Sequence, residues 1–452
     1  MVKRFLLDTN ILLQSPESMV KGFDDNTVVI CGTTLQELDK KKTSGGDIGY
    51  NARESIRILD ELRTQGDILT GIPLPNGGKL MIEPDGVDQN LLPQGFSIDV
   101  PDNRIISTCI ALTKRDPEHP VTLITNDISM RLSATACNVK VEEYLNSIVA
   151  DSGYTGRRDL EVGSMVIDQL YQEKVIPNAN DVMAVDDFVE NEFVTLHAGG
   201  QSALSVFRKG QLELIQNQKL YSWVQPKNAL QSYAMWALSQ PASVLPLVIL
   251  IGPAGCAKTF LSLAAGLDGA YTKQSRNEEE YIKLLISRPT GEAFEEIGFL
   301  PGDLDEKLRF LYQNFYDNIE VLLQGNGKTK ENHSQLQTQM DDMFADGVIE
   351  VCGLNFIRGR SLMNTFMICD EAQNASKTLI RDVITRAGIG TKVVICGDPS
   401  QIDVPTLDKR NNGLVYAAEH MKGNPLCAIV KFTDGESVRS PLAKAAIQCM
   451  KR

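Results

Sequence analysis

Eight consecutive residues, GPAGCAKT, have the composition and spacing of a loop that could bind the phosphates of a nucleotide. The apolar run Leu247–Ile251 precedes the loop and predicts a buried strand, and a helical pattern starts at Phe260. Small residues allow backbone N–H groups to wrap around phosphates, and a helix N-terminus adds positive potential. We therefore expect Lys258 to meet the β- and γ-phosphates and the Thr259 hydroxyl to bind Mg²⁺. The loop residues predicted to bind ATP are Gly252, Pro253, Ala254, Gly255, Cys256, Ala257, Lys258 and Thr259.

Ala257 departs from the usual pattern of this loop, G-x-x-x-x-G-K-[ST], which places a second glycine at this position. A methyl group there would crowd the phosphates if φ were positive or the approach tight. If the residue already belonged to the helix, alanine would cost little. We expect Ala257 to lie in the first helical turn.

Two further apolar segments predict strands that end at polar residues suited to nucleotide hydrolysis. The segment TFMICDEAQ ends at Asp370, expected to bind Mg²⁺ through water, and at Glu371, expected to polarise the attacking water. The segment KVVICGDPSQID leads to Gln401, which could sense the γ-phosphate.

Gln231, on a predicted helix before the loop, is either an adenine ligand or a solvated helix residue. Arg439 is a candidate arginine finger, acting within the chain or on a neighbouring chain.

Four carboxylates in the first part of the chain suggest a second site. Strands alternate there with helices, which predicts a parallel sheet whose carboxyl edge carries the ligand site. Acids gathered at such an edge repel one another unless a cation is present, and Mg²⁺ or Mn²⁺ suits a site made of oxygen ligands. Two such ions can activate water and stabilise the leaving oxygen in phosphodiester cleavage. The predicted acidic set, catalytic and metal-binding, is Asp8, Glu37, Asp102 and Asp127.

Each of these acids also has a purely structural interpretation. Asp102 could be a helix cap and Asp127 a turn former, and Glu37 could be a solvated residue beside a run of lysines. Their order and sequence context, rather than any single residue, favour the site.

The composition limits the class of protein. With 452 residues, of which 42% are hydrophobic and 23% charged, the chain predicts two or three globular domains. No apolar run is long enough to span a bilayer, and the N-terminal segment has no long apolar core of a secretion signal. Nine cysteines without a C-x-x-C pair favour the reducing cytoplasm. A net charge of −13 argues against nonspecific coating of nucleic acid but leaves room for a local basic groove.

The pattern of predicted elements gives an α/β fold in three parts. Residues 1–150 are expected to form a parallel α/β domain. Residues 151–225, with short alternating segments, are expected to form a small β-rich linker module. Residues 226–452 return to alternating strands and helices around the phosphate loop and predict a P-loop NTPase domain.

The first part resembles the PIN-domain ribonuclease family. The resemblance rests on LLDTNILL, TLQELDK, PDNRIIST and LITNDISMR, over roughly the first 145 residues. It implies a metal-dependent nuclease specific for single strands, with the four acids as its acidic set. Thr9, Asn10 and Thr125 match the polar positions beside them.

The last part resembles the PhoH-like ATPase family. The stretches that carry the resemblance include SRPTGEAFEEIGFLPGDLDEK, FIRGRSLMNTFMICDEAQNAS and GESVRSPL. Arg288, Arg358 and Arg360 match basic positions of this pattern and are candidate RNA contacts, although surface ion pairs are a fair alternative for each.

The combination of the two domains resembles the PhoH2-type proteins. The resemblance implies ATP-dependent RNA unwinding coupled to RNA cleavage in a homo-oligomeric ring, expected to be a hexamer. One alternative is an ATP-dependent RNA remodeller or switch whose PIN domain does not cut. A kinase is a third alternative, disfavoured by the Asp370-Glu371 pair and the GDPSQ segment.

Overall fold

The computed structural model describes residues 3–23, 25–84, 86–144, 152–216, 219–221, 223–272, 281–289, 312–325, 333–404 and 407–433. The chain divides into two compact units, Met1–Val149 and Ala150–Arg452, and each is described by itself. Among the described residues, no helix is both long and apolar enough to cross a membrane.

The first unit is built on a six-stranded sheet with the order β3-β4-β2-β1-β5-β6. All its pairings are parallel except that between β3 and β4. The central strands are almost wholly apolar because helices cover both faces. The strands are β1 Arg4–Leu7, β2 Thr27–Cys31, β3 Ile72–Pro73, β4 Lys79–Glu83, β5 Val121–Ile124 and β6 Lys140–Glu142.

The two faces of this sheet pack two separate cores. Alternation along β1 sends Phe5 and Leu7 to one core and Leu6 to the other. The α-helices that cover the faces are Thr9–Gln14, Ser18–Lys21, Gly32–Lys41, Gly46–Arg63, Pro101–Arg115 and Ile128–Ala136, with a 3₁₀ turn at Gln89–Leu91. The expected alternation of strands and helices is therefore confirmed.

The second unit begins with the β-rich module, a five-stranded sheet with the order β7-β9-β10-β11-β8. The sequence did not predict its helix Ser164–Glu173, which packs its buried Ile167 and Leu170 into the module core. Two 3₁₀ turns, Ala179–Asp181 and Val185–Asp187, follow. The strands are β7 Arg157–Glu161, β8 Val175–Ile176, β9 Phe193–Ala198, β10 Gln201–Arg208 and β11 Gln211–Leu214.

The remaining sheet is parallel and has the order β14-β13-β15-β16-β12-β17. The strands are β12 Leu247–Ile251, β13 Lys283–Arg288, β14 Ile349–Gly353, β15 Thr365–Cys369, β16 Lys392–Gly397 and β17 Cys427–Lys431. The α-helices are Ala229–Ser239, Lys258–Leu267, Gln313–Gln324, His333–Ala345, Lys377–Thr385 and Gly413–Met421. A π-helical turn at Asp268–Thr272 and 3₁₀ turns at Leu354–Ile357 and Ala372–Asn374 complete the described elements.

The module covers the β17 edge of this sheet. Asn191, which is buried and has φ +60°, donates from Nδ2 to the carbonyl oxygens of Asn424 (3.3 Å), Pro425 (3.0 Å) and Cys427 (3.0 Å). Phe193 of the module stacks on Tyr233 of the helix Ala229–Ser239, with ring centroids 4.6 Å apart. The module is thus packed against the parallel sheet and the helix Ala229–Ser239 as part of the same unit.

We predict that Asn191→Gly destabilises the second unit. Glycine keeps the positive φ without cost, so the variant isolates the lost hydrogen bonds, worth about 1–3 kcal/mol together. Urea denaturation followed by tryptophan fluorescence measures the effect, since Trp236 packs edge-on against Phe193. The control is Lys209→Gly, at an exposed residue with φ +50°, which should not destabilise. Equal stability of the two variants would contradict the role of the amide.

Candidate active sites

The loop after β12 is shaped by positive backbone angles. Gly252 has φ +150° and Gly255 has φ +86°. A Cβ atom on Gly252 would lie 2.7 Å from Cβ of Phe432, so this glycine is required by close contact with the end of β17. The loop therefore forms as the motif predicted, with its backbone folded tightly against the sheet.

The expectation that Ala257 lies in the first helical turn is wrong. Its φ is +69° and its ψ +20°, in the left-handed region, and the helix begins one residue later, at Lys258. The loop must reverse its direction before the helix starts, and this reversal is what a glycine normally supplies. A left-handed alanine costs roughly 1 kcal/mol relative to glycine.

Lys258 and Thr259 point toward the strand ends. Nζ of Lys258, which is almost fully buried, donates to the carbonyl oxygens of Gly252 (2.6 Å) and Pro253 (3.0 Å). The Thr259 hydroxyl donates to both carboxylate oxygens of Asp370, at 3.1 and 3.2 Å. The metal-binding hydroxyl and the metal-binding carboxylate predicted from the sequence therefore lie side by side.

Asp370 is buried at the end of β15, and burial raises its pKa to about 6. The neighbouring charge of Glu371 adds to this rise, while Arg288, Thr259 and Lys258 oppose it. Glu371 has a left-handed φ of +53°, which turns the chain sharply after the strand. The carboxylate of Asp370 is thus destabilised in a way that a bound cation would reverse.

A cleft of about 240 Å³ lies over these residues. Phe260 and Asn318 line it although sequence reasoning did not single them out; Phe260 directly follows the loop, whereas Asn318 lies on a distant helix without a motif. The lining residues are Ala254, Gly255, Ala257, Lys258, Thr259, Phe260, Asn318, Asp370, Glu371, Gly397, Asp398 and Gln401.

The predicted glutamines have different positions. Gln401 lines the cleft and donates to Asp398 at 2.9 Å. Gln231 is buried, not a solvated helix residue, and its Oε1 accepts the Lys227 N–H at 2.9 Å, away from the cleft lining. Gln373, which the sequence analysis did not assign, is fully buried and donates to Glu371 (2.6 Å) and to the Gln401 carbonyl (2.8 Å).

The three predicted arginines within the described residues have different partners. Arg288 is the last residue of β13, and its positive charge lowers the pKa of Asp370. Arg288 therefore lies near the carboxylate beside the phosphate loop. Arg358 pairs with Asp382 at 3.0 Å, and Arg360 pairs with Glu350 at 2.8 Å. Arg439 lies outside the described residues.

In the first unit, Asp8 follows β1 and is buried. Its carboxylate accepts the Thr9 N–H and the Thr125 hydroxyl, each at 2.6 Å. Burial raises the pKa of Asp8 to about 7, and the charges of Asp102 and Glu37 raise it further, against the hydrogen bonds.

Glu37 and Asp102 lie close to Asp8, and Asp127 lies close to Asp102. The Thr9 hydroxyl donates to Glu37, and Asp102 lies in the first turn of its helix. Asp127 caps the next helix by accepting the backbone N–H groups at 129 (2.7 Å) and 130 (3.1 Å). Burial, and then the charges of Glu37 and Asp127, raise the pKa of Asp102. Asp102 is not the helix cap of the structural interpretation, because Val100 is the N-cap of its helix, whereas Asp127 does cap the next helix. Asp102 also lies close enough to Glu37 and Asp127 to interact electrostatically.

The polar residues predicted beside the acids connect them. Asn10 donates to the Thr125 hydroxyl oxygen at 3.0 Å, and that hydroxyl donates to Asp8. No three His, Cys, Asp or Glu side chains in the described part of the chain are already arranged to hold a metal ion. The acids are neighbours that repel one another. A bound cation would offset this repulsion and allow them to come closer together.

Comparison with known proteins supports both halves of this description. A PIN-domain family matches residues 5–145, and the family described as PhoH-like protein matches residues 223–451. The chain is 36% identical to Protein PhoH2 of Bacillus subtilis over 459 residues, covering 99% of both chains. It is 30% identical to Protein PhoH2 of Mycolicibacterium smegmatis over 98% of this chain and 95% of that one. The PhoH-like protein of Synechocystis is 35% identical over 45% of this chain and 56% of its own length.

The fold and the phosphate loop define a P-loop NTPase carried on one chain with a PIN domain. Because relatives named Protein PhoH2 match over nearly the full length at 36% and 30% identity, the chain belongs to the PhoH2 family.

We predict that Ala257→Gly stabilises the second unit by about 1 kcal/mol, because glycine adopts the left-handed angle without a steric cost. Such a gain would raise its melting temperature by roughly 2–4 °C in thermal denaturation. Ala254→Gly, in the same loop but not at a positive φ, is the control and should give no gain. A variant at 257 no more stable than the one at 254 would contradict the cost assigned to the methyl group.

We also predict a pH-dependent effect of Asp8→Asn on stability in EDTA. The folded pKa of about 7 lies above the unfolded value of 3.8, so the wild type loses stability as pH rises from about 4 to 7. Asparagine does not ionise, so the stability of the variant relative to wild type should increase over this range and level off above pH 7. Denaturation at several pH values measures this difference. A difference that is constant from pH 4.5 to 8 would show that Asp8 carries no burial penalty.

Proposed function

We propose that the protein is an ATP-dependent RNA helicase or translocase coupled to a metal-dependent endoribonuclease that cuts single-stranded RNA. The single observation that carries the proposal is the presence of two sets of acids on one chain. One set, Asp370 and Glu371, adjoins the phosphate loop, and the other is the group of neighbouring acids that includes Asp8. Membership of a family that combines PIN and PhoH-like domains supports the same combination of activities.

In the nucleotide site, ATP would lie along the loop with Lys258 facing its β- and γ-phosphates. Thr259 and Asp370 would hold Mg²⁺, which neutralises charge on the phosphates when bound. Glu371 orients and polarises the attacking water, and Gln373 fixes Glu371 through its 2.6 Å hydrogen bond. Gln401, which lines the cleft, is suited to contact the γ-phosphate.

In the acidic site, Asp8, Glu37, Asp102 and Asp127 would hold Mg²⁺ or Mn²⁺, which supplies an activated water for phosphodiester cleavage. The raised pKa of Asp8 supports this role, because a carboxylate that burial destabilises gains most from a cation. Thr9 and Thr125 orient the carboxylates of Glu37 and Asp8 by hydrogen bonds.

The proposal extends to the assembly. A homo-oligomeric ring, with a hexamer as the expected form, would let a few basic residues per subunit surround one RNA strand. Arg358 and Arg360 are candidates for that contact, and Arg288 is a candidate from the nucleotide edge. Arg439 would act on ATP from its own or a neighbouring subunit. The proposed location is the cytoplasm.

The test incubates labelled single-stranded RNA with the full-length protein, with Mg²⁺ or Mn²⁺ and with EDTA. We expect EDTA and Asp8→Asn to abolish cleavage, because the acids cannot gather a cation, while Asp8→Asn retains ATPase activity. Lys258→Ala should lose nucleotide turnover, and Glu371→Gln should bind ATP without hydrolysing it. RNA gel electrophoresis and phosphate release are the readouts.

The outcomes separate this function from its alternative. Cleavage that is undiminished in Asp8→Asn would overturn the nuclease assignment. ATPase activity stimulated by RNA, without any cleavage by the wild type, would indicate the remodeller instead. Normal hydrolysis by Glu371→Gln would overturn the water-polarising role.

A further inference from the structure

The turn that follows β14 presents one aromatic ring at the surface. Leu354 and Ile357, three residues apart in the 3₁₀ turn, are both buried in the core beneath it. Phe356 lies between them in sequence and is 59% exposed. Because two core side chains fix the turn, the backbone that carries the ring is held in place.

Basic side chains follow this ring directly. Arg358 donates from Nε to Asp382 at 3.0 Å, and Arg360 donates to Glu350. Lys283 also donates to Glu350, at 2.5 Å. From Phe356 to Cys369 the chain contains two arginines and no aspartate or glutamate, although the whole protein carries a net charge of −13. The ion pairs fix the guanidinium groups of two arginines that follow the exposed ring by two and four residues in the chain.

The ring lies at the edge of the sheet where the nucleotide site is built. β14 is the outer strand, and its carboxyl end points the same way as that of β15, which carries Asp370. Neighbouring strands are about 4.8 Å apart, so two strand spacings place the turn about 10 Å from the end of β15. A polymer in contact with the turn would therefore lie at the same carboxyl end of the sheet as Asp370.

We propose that Phe356 is a stacking platform for one base of single-stranded RNA and that Arg358 contacts an adjacent phosphate. This inference rests on the proposed function, since it names the surface that RNA would use. An exposed aromatic ring beside fixed cations is the combination by which proteins bind single strands without sequence preference. A contact between protein subunits would not need these cations, and it is treated as an outcome of the test.

The test measures RNA affinity by fluorescence anisotropy in the Asp8→Asn background, where the RNA should stay intact. The probe is a labelled single-stranded oligouridine. Phe356→Ala should weaken binding by roughly ten-fold, in line with the loss of one stacked base, and Phe356→Trp should restore it. The control Ile389→Ala removes another exposed apolar side chain, 81% exposed at a separate turn, and should leave affinity unchanged. Thermal denaturation verifies that each variant is folded.

Two further measurements separate stacking from other contacts. An oligonucleotide with abasic positions should bind the Asp8→Asn parent more weakly than oligouridine, and this difference should shrink in Phe356→Ala. Arg358→Gln should lower the slope of log affinity against log salt by roughly 0.7, the value for one phosphate contact to a single strand.

The inference is overturned if folded Phe356→Ala binds RNA as tightly as its parent. It is also overturned if the substitution changes the oligomeric state in light scattering while RNA affinity per subunit is unchanged, because the ring would then contact protein. A parent protein that binds no RNA at all would instead overturn the proposed function, and this inference with it.

Discussion

The hydrogen bond from the Thr259 hydroxyl to Asp370 joins the start of one helix to the end of a strand 111 residues away. The two residues follow β12 and β15, which are separated in the sheet by β16. The contact therefore has to pass the end of β16, at Gly397, where a Cβ atom would lie 2.3 Å from Oε1 of Gln373. A glycine at this point lets Gln373 approach and fix Glu371 beside Asp370. The order of the parallel strands, and the absence of a side chain at Gly397, together set the geometry of the nucleotide site.

Both units contain a buried carboxylate, and burial has the same electrostatic effect on the pKa in each. Burial is the largest cause of the raised pKa of Asp8 and of Asp370, and a neighbouring acid adds to it in each case. Each site therefore carries an energetic cost that a bound cation would offset. The surrounding hydroxyls, Thr125 for one and Thr259 for the other, direct the carboxylates without neutralising them.

The sequence predicted the elements whose signals are local. The apolar run Leu247–Ile251 is a strand with these same bounds, and the acids after β1, β5 and β15 lie at the strand ends as expected. Ala257 was misassigned to the first helical turn because alanine carries no local sign of a left-handed angle, and the helix begins one residue after it, at Lys258. Asn318 and Asn191 act through contacts far away in sequence, so no motif could reveal them. The exposure of Phe356 likewise could not be predicted, because it depends on the burial of Leu354 and Ile357 in the core.

The proposed function requires ATP hydrolysis in the second unit to deliver RNA to the acids of the first. The most direct measurement follows cleavage of an RNA that has a single-stranded tail and a stable duplex, with ATP and Mg²⁺ or Mn²⁺. Wild-type protein is predicted to cut positions inside the duplex as well as in the tail, whereas Glu371→Gln, which retains all four acids of the first unit, should cut only the tail. Equal cutting of the duplex by both proteins would contradict the coupling.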